Sequence, residues 1–455
     1  MKSFNNEQKN DLLKDYFVNK KTFLTVIIIS SSLILLTAIL IVILLTTTTN
    51  RLYDNEKILP GYIQINSISA TYNIDDISKA VLLYNNKYSY LIHTIRVDGE
   101  KIDEVKNEYI FSDKGEHTVK FSLKKPLKTT EEFFINCDRL TEVNLQNLTT
   151  MNIKTTASMF YNCSNLQKVN LSNSDDESLT NISYMFYNCN SLTSVDLSRF
   201  MSGYIIDISS LFYNCHNLSS IYFGYFSTRS VINMSYLFYN CKSLDEFNLN
   251  FFTTNVEDMS HMFHGCKNIS YIKQSFNTQN TIYMNNMFDG CENLFNLSLD
   301  NFETPKVINM SYMFNDCKSL ENLSFSGFSA ENVLDMSYMF NNCQNIKQID
   351  FSNLTTFNLT NMSHMFSNCN NLDDLKMEYF LTDNVQYMDY LLYNCSNLQY
   401  IDFSSFNTGE LENYTNIFEG LPDNGTFIYN KEKFNNTILS ELPSEWEQKP
   451  INNGR

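Results

Sequence analysis

From residue 131 to about 421 the apolar positions repeat at an almost constant interval, and within each copy they change period. In the copy that opens at Asn309, residues Met310, Met313, Phe314 and Cys317 stand at i, i+3, i+4 and i+7, the spacing of one face of a short helix. After Leu320 the period becomes two. Leu323 and Phe325 alternate with Asn322, Ser324 and Ser326, which predicts a half-buried strand that Phe328 closes. A polar turn follows, and Val333 and Met336 open the next copy. So small a unit cannot bury its own apolar face, so copies must stack, strand beside strand, with Met, Phe, Leu and Cys in one shared core. The predicted fold is an α/β repeat solenoid, a parallel sheet with short helices, of about 12 coils.

Cysteine marks the register. Cys137, Cys163, Cys189, Cys215, Cys241, Cys266, Cys291, Cys317, Cys343, Cys369 and Cys395 follow one another at a single interval, except that the steps to Cys266 and to Cys291 are one residue shorter. A twelfth copy, Tyr414 to Leu421, has leucine in place of cysteine. The unit reads Met339-Phe340-Asn-Asn-Cys343-Gln-Asn-Ile-Lys-Gln-Ile349-Asp-Phe351, and again Met185-Phe186-Tyr-Asn-Cys189 through Leu192, Val195 and Leu197 to Phe200. It resembles the BspA-type leucine-rich-repeat surface proteins of bacteria and anaerobic protists over residues 131–421. That resemblance implies a leucine-rich-repeat-type solenoid displayed at a cell surface, often for adhesion to host matrix or to other microbes.

Before the repeats, Phe23–Leu45 is an uninterrupted, uncharged apolar run. As a helix it would be about 35 Å long, enough to cross a ~30 Å hydrocarbon core. It is longer than the apolar stretch of a cleaved signal peptide, and no small-residue cleavage site follows it. Lys2, Lys9, Lys14, Lys20 and Lys21 precede it, while only Arg51 and Lys57 follow closely, so the amino end is expected inside. The expected organisation is a cytoplasmic tail 1–22, a transmembrane signal-anchor helix 23–46, a linker 47–60, a small β domain 61–130 capping the solenoid, the repeats 131–421, and a C-terminal cap 422–455. The expectation is a single-pass type II protein of the plasma membrane with its repeats outside. In the β domain, Tyr90–Val97 and His117–Leu123 alternate, and Asp98-Gly99 and Lys114-Gly115 mark turns. Ile95–Gly99 and Phe111–Val119 also resemble the leader that precedes the repeats in the BspA-type family. Gly425–Tyr429 reads as a short strand of the C-terminal cap, and Pro443–Trp446 as its closing turn.

Candidate chemistry is sparse. A formal charge of −17 with no basic stripe argues against nucleic-acid partners. Equivalent cysteines in stacked coils point in parallel, so although their Cα atoms would be ~5 Å apart, their Cβ atoms would stay beyond the ~3.8 Å a disulfide prefers. Metal ligation would need CxxC or Cys/His clusters. The cysteines are therefore expected to be buried structural thiols, with no cofactor and no metal. His261 and His264 fall i, i+3 on the expected helix, and His364 repeats the His261 position, a spacing that exposed helix-face histidines or a zinc site would share. Asp175-Asp176-Glu177 reads as a solvated acidic loop rather than a calcium site. No GxSxG, Walker-type or HExxH motif occurs, so no enzyme is expected. Sequons such as Asn233, Asn309 and Asn361 permit glycosylation, but at helix starts they would serve as caps.

The expected function is that of a surface adhesin or ligand-binding protein whose partners are host or microbial surface proteins or matrix components. A receptor ectodomain signalling through a membrane partner, or an inert coat or antigen protein, are the alternatives. The outward strand positions gather Ser220 and Tyr222, Glu246 and Asn248, and Tyr271 and Lys273 between the fourth and sixth coils. Tyrosine is a favoured interface anchor, which makes Tyr222, Tyr271 and Lys273 the candidate ligand-binding residues.

Overall fold

The computed structural model describes residues 66–452, apart from 149–151, 172–177, 199–202, 225, 248–250, 274–275, 300–301 and 353. The expected tail 1–22, membrane helix 23–46 and linker 47–60 lie outside the described residues, as does Asp175-Asp176-Glu177. Among the described residues no helix is long and apolar enough to cross a membrane.

The period-two stretches form strands. Asn322–Ser324 lies parallel to Gln348–Asp350, with Leu323 and Ile349 buried and their neighbours exposed. On another side of each coil a single residue bridges to its equivalents in the coils before and after. Ten such parallel bridges run in series from Thr155 to Asn413. The chain is thus a leucine-rich-repeat-like β-solenoid of about ten turns. Fewer than twelve coils are closed because the first copy, ending at Cys137, precedes the bridge series, and the twelfth only begins at its last member, Asn413.

The short helices do not form. In Asn309–Cys317 the N–H of Met313 donates to Met310 O (3.3 Å) and that of Cys317 to Phe314 O (3.1 Å), so both close tight turns within the coil. The N–H groups of Tyr312, Phe314 and Asp316 leave the coil and donate to Ser337, Met339 and Asn341 of the next, each at 2.9 Å. An α-helix would require those donors for i→i−4 bonds. Tyr312 and Asp316 both have φ 56°, as the third residue of a type II turn requires. The residue before the cysteine position is left-handed in every copy: Asn136, Asn162, Asn188, Asn214, Asn240, Gly265, Gly290, Asp316, Asn342, Asn368, Asn394 and Gly420. Only Gly, Asn and Asp occupy it, the residues that enter this region at least cost.

These asparagines also pair. Asn162, Asn188, Asn214 and Asn240 each donate Nδ2 to Oδ1 of the asparagine one coil earlier, at 2.8–3.0 Å. The ladder is interrupted at Gly265, where a Cβ would lie 2.2 Å from Asn240 Oδ1, and resumes where Asn342 donates to Asp316 and Asn394 to Asn368.

Inside, phenylalanines from Phe134 to Phe366 stack coil on coil with ring centroids 5.4–5.8 Å apart. Each is fully buried, worth roughly 1.5–3 kcal/mol. Beside them all eleven cysteines are buried, and none forms a disulfide. From Cys163 to Cys395 every Sγ–H donates to the carbonyl of a phenylalanine in the preceding coil, at 3.0–3.2 Å. That carbonyl also accepts a backbone N–H of its own coil, as Phe160 O does from Cys163 (3.1 Å). Buried threonines join the coils on a further side. Thr253 Oγ1 donates to Asn277 O (2.9 Å) and accepts the N–H of Asn277 (2.8 Å), and Thr382 repeats the pair with Asn407.

Both ends are covered by strands. At the amino end β1 (Ser67–Ile74), β2 (Val81–Leu82), β3 (Ile92–Val97), β4 (Glu100–Lys101), β5 (Glu108–Tyr109) and β6 (Gly115–Leu123) precede the first solenoid strand, β7 (Leu140–Asn144). β1 is antiparallel to both β6 and β7, and β7 is parallel to β8 (Lys168–Asn170), so an antiparallel sheet runs directly into the parallel one. At the other end Tyr400–Phe403, Thr426–Asn430 and Glu447–Ile451 are parallel neighbours. The outermost strand is wholly exposed and carries Glu447, Lys449 and Pro450, which oppose addition of a further strand. Trp446 crosses Gly425 so closely that a Cβ there would lie 2.7 Å from its ring.

Asn214→Gly removes two ladder hydrogen bonds but keeps the left-handed backbone, and should cost ~1–2 kcal/mol. Asn214→Ala adds backbone strain of ~1–2 kcal/mol and should be the less stable of the two in urea denaturation. Burial raises every resolved thiol pKa, that of Cys395 to about 12, so the thiols should resist alkylation in the native protein and react after denaturation without reductant, as mass spectrometry would count.

Candidate functional site

On the sheet face, outward strand positions form columns because the pairing is parallel and in register. β9 (Ser194–Asp196) pairs with β10 (Ser220–Tyr222), placing Tyr222 beside Asp196. β12 (Tyr271–Ile272) lies between β11 (Glu246–Phe247) and β13 (Asn296–Leu297), placing Tyr271 between Glu246 and Asn296. Tyr222 is 65% exposed and Tyr271 39%, and Lys273 is exposed just beyond its strand. Tyr222 and Tyr271 thus belong to different columns two coils apart, with β11 between them in the chain. Asn248 lies outside the described residues. Farther along the same face, Asp350, Ser352, Asp374, Lys376 and Glu378 line a shallow hollow, where Lys376 pairs with Asp374. Among the described residues no group of His, Cys, Asp or Glu could hold a metal ion.

A second surface arises where helices were expected. With both turns of the segment left-handed at fixed points, side chains at equivalent positions leave the coils in parallel. One half-buried column stacks Tyr161, Tyr187, Tyr213, Tyr239 and His264 at 4.3–4.5 Å with planes within 9°. An outer column at the first left-handed position stacks Tyr236 on His261 (4.4 Å), and Tyr312, Tyr338, His364 and Tyr390 at 4.3–4.7 Å. His261, His264 and His364 are therefore half-buried rungs rather than exposed helix-face residues. Reading the segment as a helix hides both columns, although Tyr after Phe in four successive copies is their signal. The sequon asparagines lie on the bridge series instead of capping helices: Asn233, Asn309 and Asn361 accept the N–H of the serine two residues on, at 2.8–3.1 Å.

The histidine rungs are electrostatically distinct. His264 Nδ1 lies 3.0 Å from Asp289 Oδ2, the next member of its column. Burial raises the Asp289 carboxyl, but contacts with His264, Asn315 and Asn286 outweigh it and hold it below the ordinary range. His261 is pushed down to about 4 by burial, reinforced by His264 and opposed by Asp289. Its Nε2 meets Asn285 Nδ2 at 3.3 Å, and among the described residues its Nδ1 has no hydrogen-bond partner.

Stacked coils of nearly constant length, an exposed parallel sheet and outward aromatic columns define a leucine-rich-repeat-like protein. More particularly, the chain belongs to the family described as Mycoplasma protein of unknown function, DUF285, which matches residues 128–250, 232–352 and 335–437. No curated protein matches it. Similar solved structures include a leucine-rich cell surface protein from Faecalibacterium prausnitzii A2-165, with 16% identity over 69% of this chain and 83% of that one and a TM-score of 0.28. Others are TLR13 in its complex with ssRNA13 (15% identity, 60% of this chain and 47% of that one, TM-score 0.25) and an LRR protein of Leptospira interrogans (10%, 67% and 84%, TM-score 0.24).

Because the folded chain refuses a proton at His261 that the unfolded chain binds, stability rises with pH between about 4 and the ordinary histidine value of ~6.5. Lowering the pH through that window should lower the denaturation midpoint. His261→Asn, a residue that already holds the equivalent position at Asn286 and Asn416, should flatten the dependence.

Proposed function

We propose that the chain is a cell-surface adhesin, anchored through residues 23–46 with its repeats outside, that binds surface proteins or matrix components of a host or of other microbes. The observation that carries this reading is the sheet face at Tyr222, Tyr271 and Lys273, where large aromatic side chains stand exposed on a rigid hydrogen-bonded support. Interfaces favour such anchors, since tyrosine adds contact area with little conformational freedom to lose. The amino-terminal sheet acts as a cap, and the BspA-type resemblance supports surface display. The chain works by binding and not by catalysis: its thiols are buried and engaged with carbonyls, and its perturbed histidines sit within aromatic stacks.

The test is attachment of cells displaying the chain to matrix-coated surfaces and to partner cells. Tyr222→Ala combined with Tyr271→Ala should weaken attachment at least tenfold, since one hot-spot tyrosine is worth ~2 kcal/mol or more. Thermal stability should hardly change, because neither ring is buried. Full attachment by the folded double variant would exclude this face.

A further inference from the structure

Between Tyr184 and Tyr236 the outer column has Ser210 in place of a ring, as it has Asn286 between His261 and Tyr312. Tyr184, Ser210 and Tyr236 occupy equivalent positions in three successive coils, with φ 57°, 53° and 57°, and each donates its N–H to a serine of the next coil at 2.9–3.0 Å. Their side chains therefore leave the backbone in the same direction. Tyr184 makes 42° with Tyr187 and Tyr236 makes 44° with Tyr239, while Tyr187 and Tyr239 both lie within 9° of the Tyr213 plane between them. The rings of Tyr184 and Tyr236 thus stand on either side of Ser210, each tilted by a similar angle against the inner column. Two coils separate them, about 9–10 Å at the ~4.8 Å spacing of stacked strands.

The same column shows what fits such an interval. Tyr338 stands between Tyr312 and His364 with centroids at 4.5 and 4.3 Å and planes within 10° of both. At Ser210 the equivalent interval has two aromatic walls, a side formed by Tyr213, whose ring is 6.1 Å from Tyr236, and a buried serine floor. Among the described residues the Ser210 hydroxyl makes no hydrogen bond. Tyr184, the outermost wall, is 40% exposed.

We propose that Tyr184, Ser210 and Tyr236 form a slot that clamps one aromatic side chain of a protein partner between two rings, tyrosine above others because its hydroxyl would meet that of Ser210. A space flanked by two rings favours a flat aromatic occupant, since aromatic pairs stack best at offset, near-parallel spacing. A saturated ring is too thick and carries no π system. The strongly acidic chain disfavours a nucleobase with its phosphates. The slot rests on the adhesive reading for its partner, yet it lies on the turn side of the coils and not on the sheet face of Tyr222 and Tyr271.

The full-length chain in detergent is titrated with N-acetyl-tyrosinamide and, in parallel, with the cyclohexylalanine analogue, following saturation-transfer NMR. The tyrosine probe should bind and the saturated analogue should bind several-fold more weakly. Ser210→Tyr restores the rung with a residue the column accepts at Tyr184, Tyr236, Tyr312, Tyr338 and Tyr390, and should reduce binding at least tenfold while raising the thermal midpoint. Tyr184→Ser removes a wall and should reduce binding as strongly without filling the slot. Absence of binding by the unmodified chain, or binding by both folded variants equal to that of the unmodified chain, overturns the proposal. Because no cells enter this assay, a failed slot leaves the adhesive reading standing, whereas a chain that binds the probe but attaches to no surface refutes the adhesive reading alone.

Discussion

The structure depends on the direction in which its turn segments send their backbone N–H groups. Alternate donors close turns inside a coil, and those between them cross to the next coil, so no coil satisfies its own backbone. A coil taken alone would leave several buried donors and acceptors open, each costing ~1–3 kcal/mol. Stability is therefore a property of neighbours, as expected of a quasi-one-dimensional array, and it explains why both ends are occupied by strands of other origin. β1 continues the hydrogen bonding outward from β7, and Glu447–Ile451 ends it with a charged, proline-bearing edge.

The side chains repeat the same crossing. Cysteine thiols reach back to phenylalanine carbonyls, asparagine amides reach back to asparagine amides, and threonine hydroxyls replace a ladder bond where the strands have ended. These polar contacts fix register, which the stacked phenylalanines alone would leave free to slip. Where coils shorten by one residue, at Cys266 and Cys291, the position before the cysteine becomes glycine and the amide ladder is interrupted. The missing residue falls between the strand and Phe251 or Phe276, because Phe226 lies one place farther from Cys215 than Phe251 does from Cys241 or Phe276 from Cys266. Tyr271 and Lys273 therefore stand in a shortened coil.

Much of this is legible in the sequence. The cysteine period sets the coil, and the alternation around Leu323 sets the strand and its inward face. The helix reading fails because Met310, Met313, Phe314 and Cys317 point inward from successive turns as well as from a helix, so spacing alone does not separate the two. The discriminating sign is chemical. The place before cysteine exchanges Asn, Asp and Gly and nothing else, a set defined by tolerance of positive φ and not by helix propensity. With that sign, tyrosines at one place in successive copies become stacked rings, and the serine among them becomes a gap. The threonine stitches carry a weaker signal, since Thr beside Phe also reads as ordinary strand.

The thiol column has a consequence for how the molecule fails. While the coils are stacked, every sulfur is buried, and from Cys163 onward each is held against a phenylalanine carbonyl. A pair of coils peeled apart in an oxidising medium frees two sulfurs a single repeat apart along the chain, a separation at which a flexible segment closes a loop readily. The cross-link would hold the coils in a geometry that the parallel Cβ vectors of the stack disfavour, so restacking would be blocked. Outside a reducing compartment, local opening then acts as a ratchet, and the lifetime of the protein is set by how rarely a coil opens rather than by how favourable the closed state is.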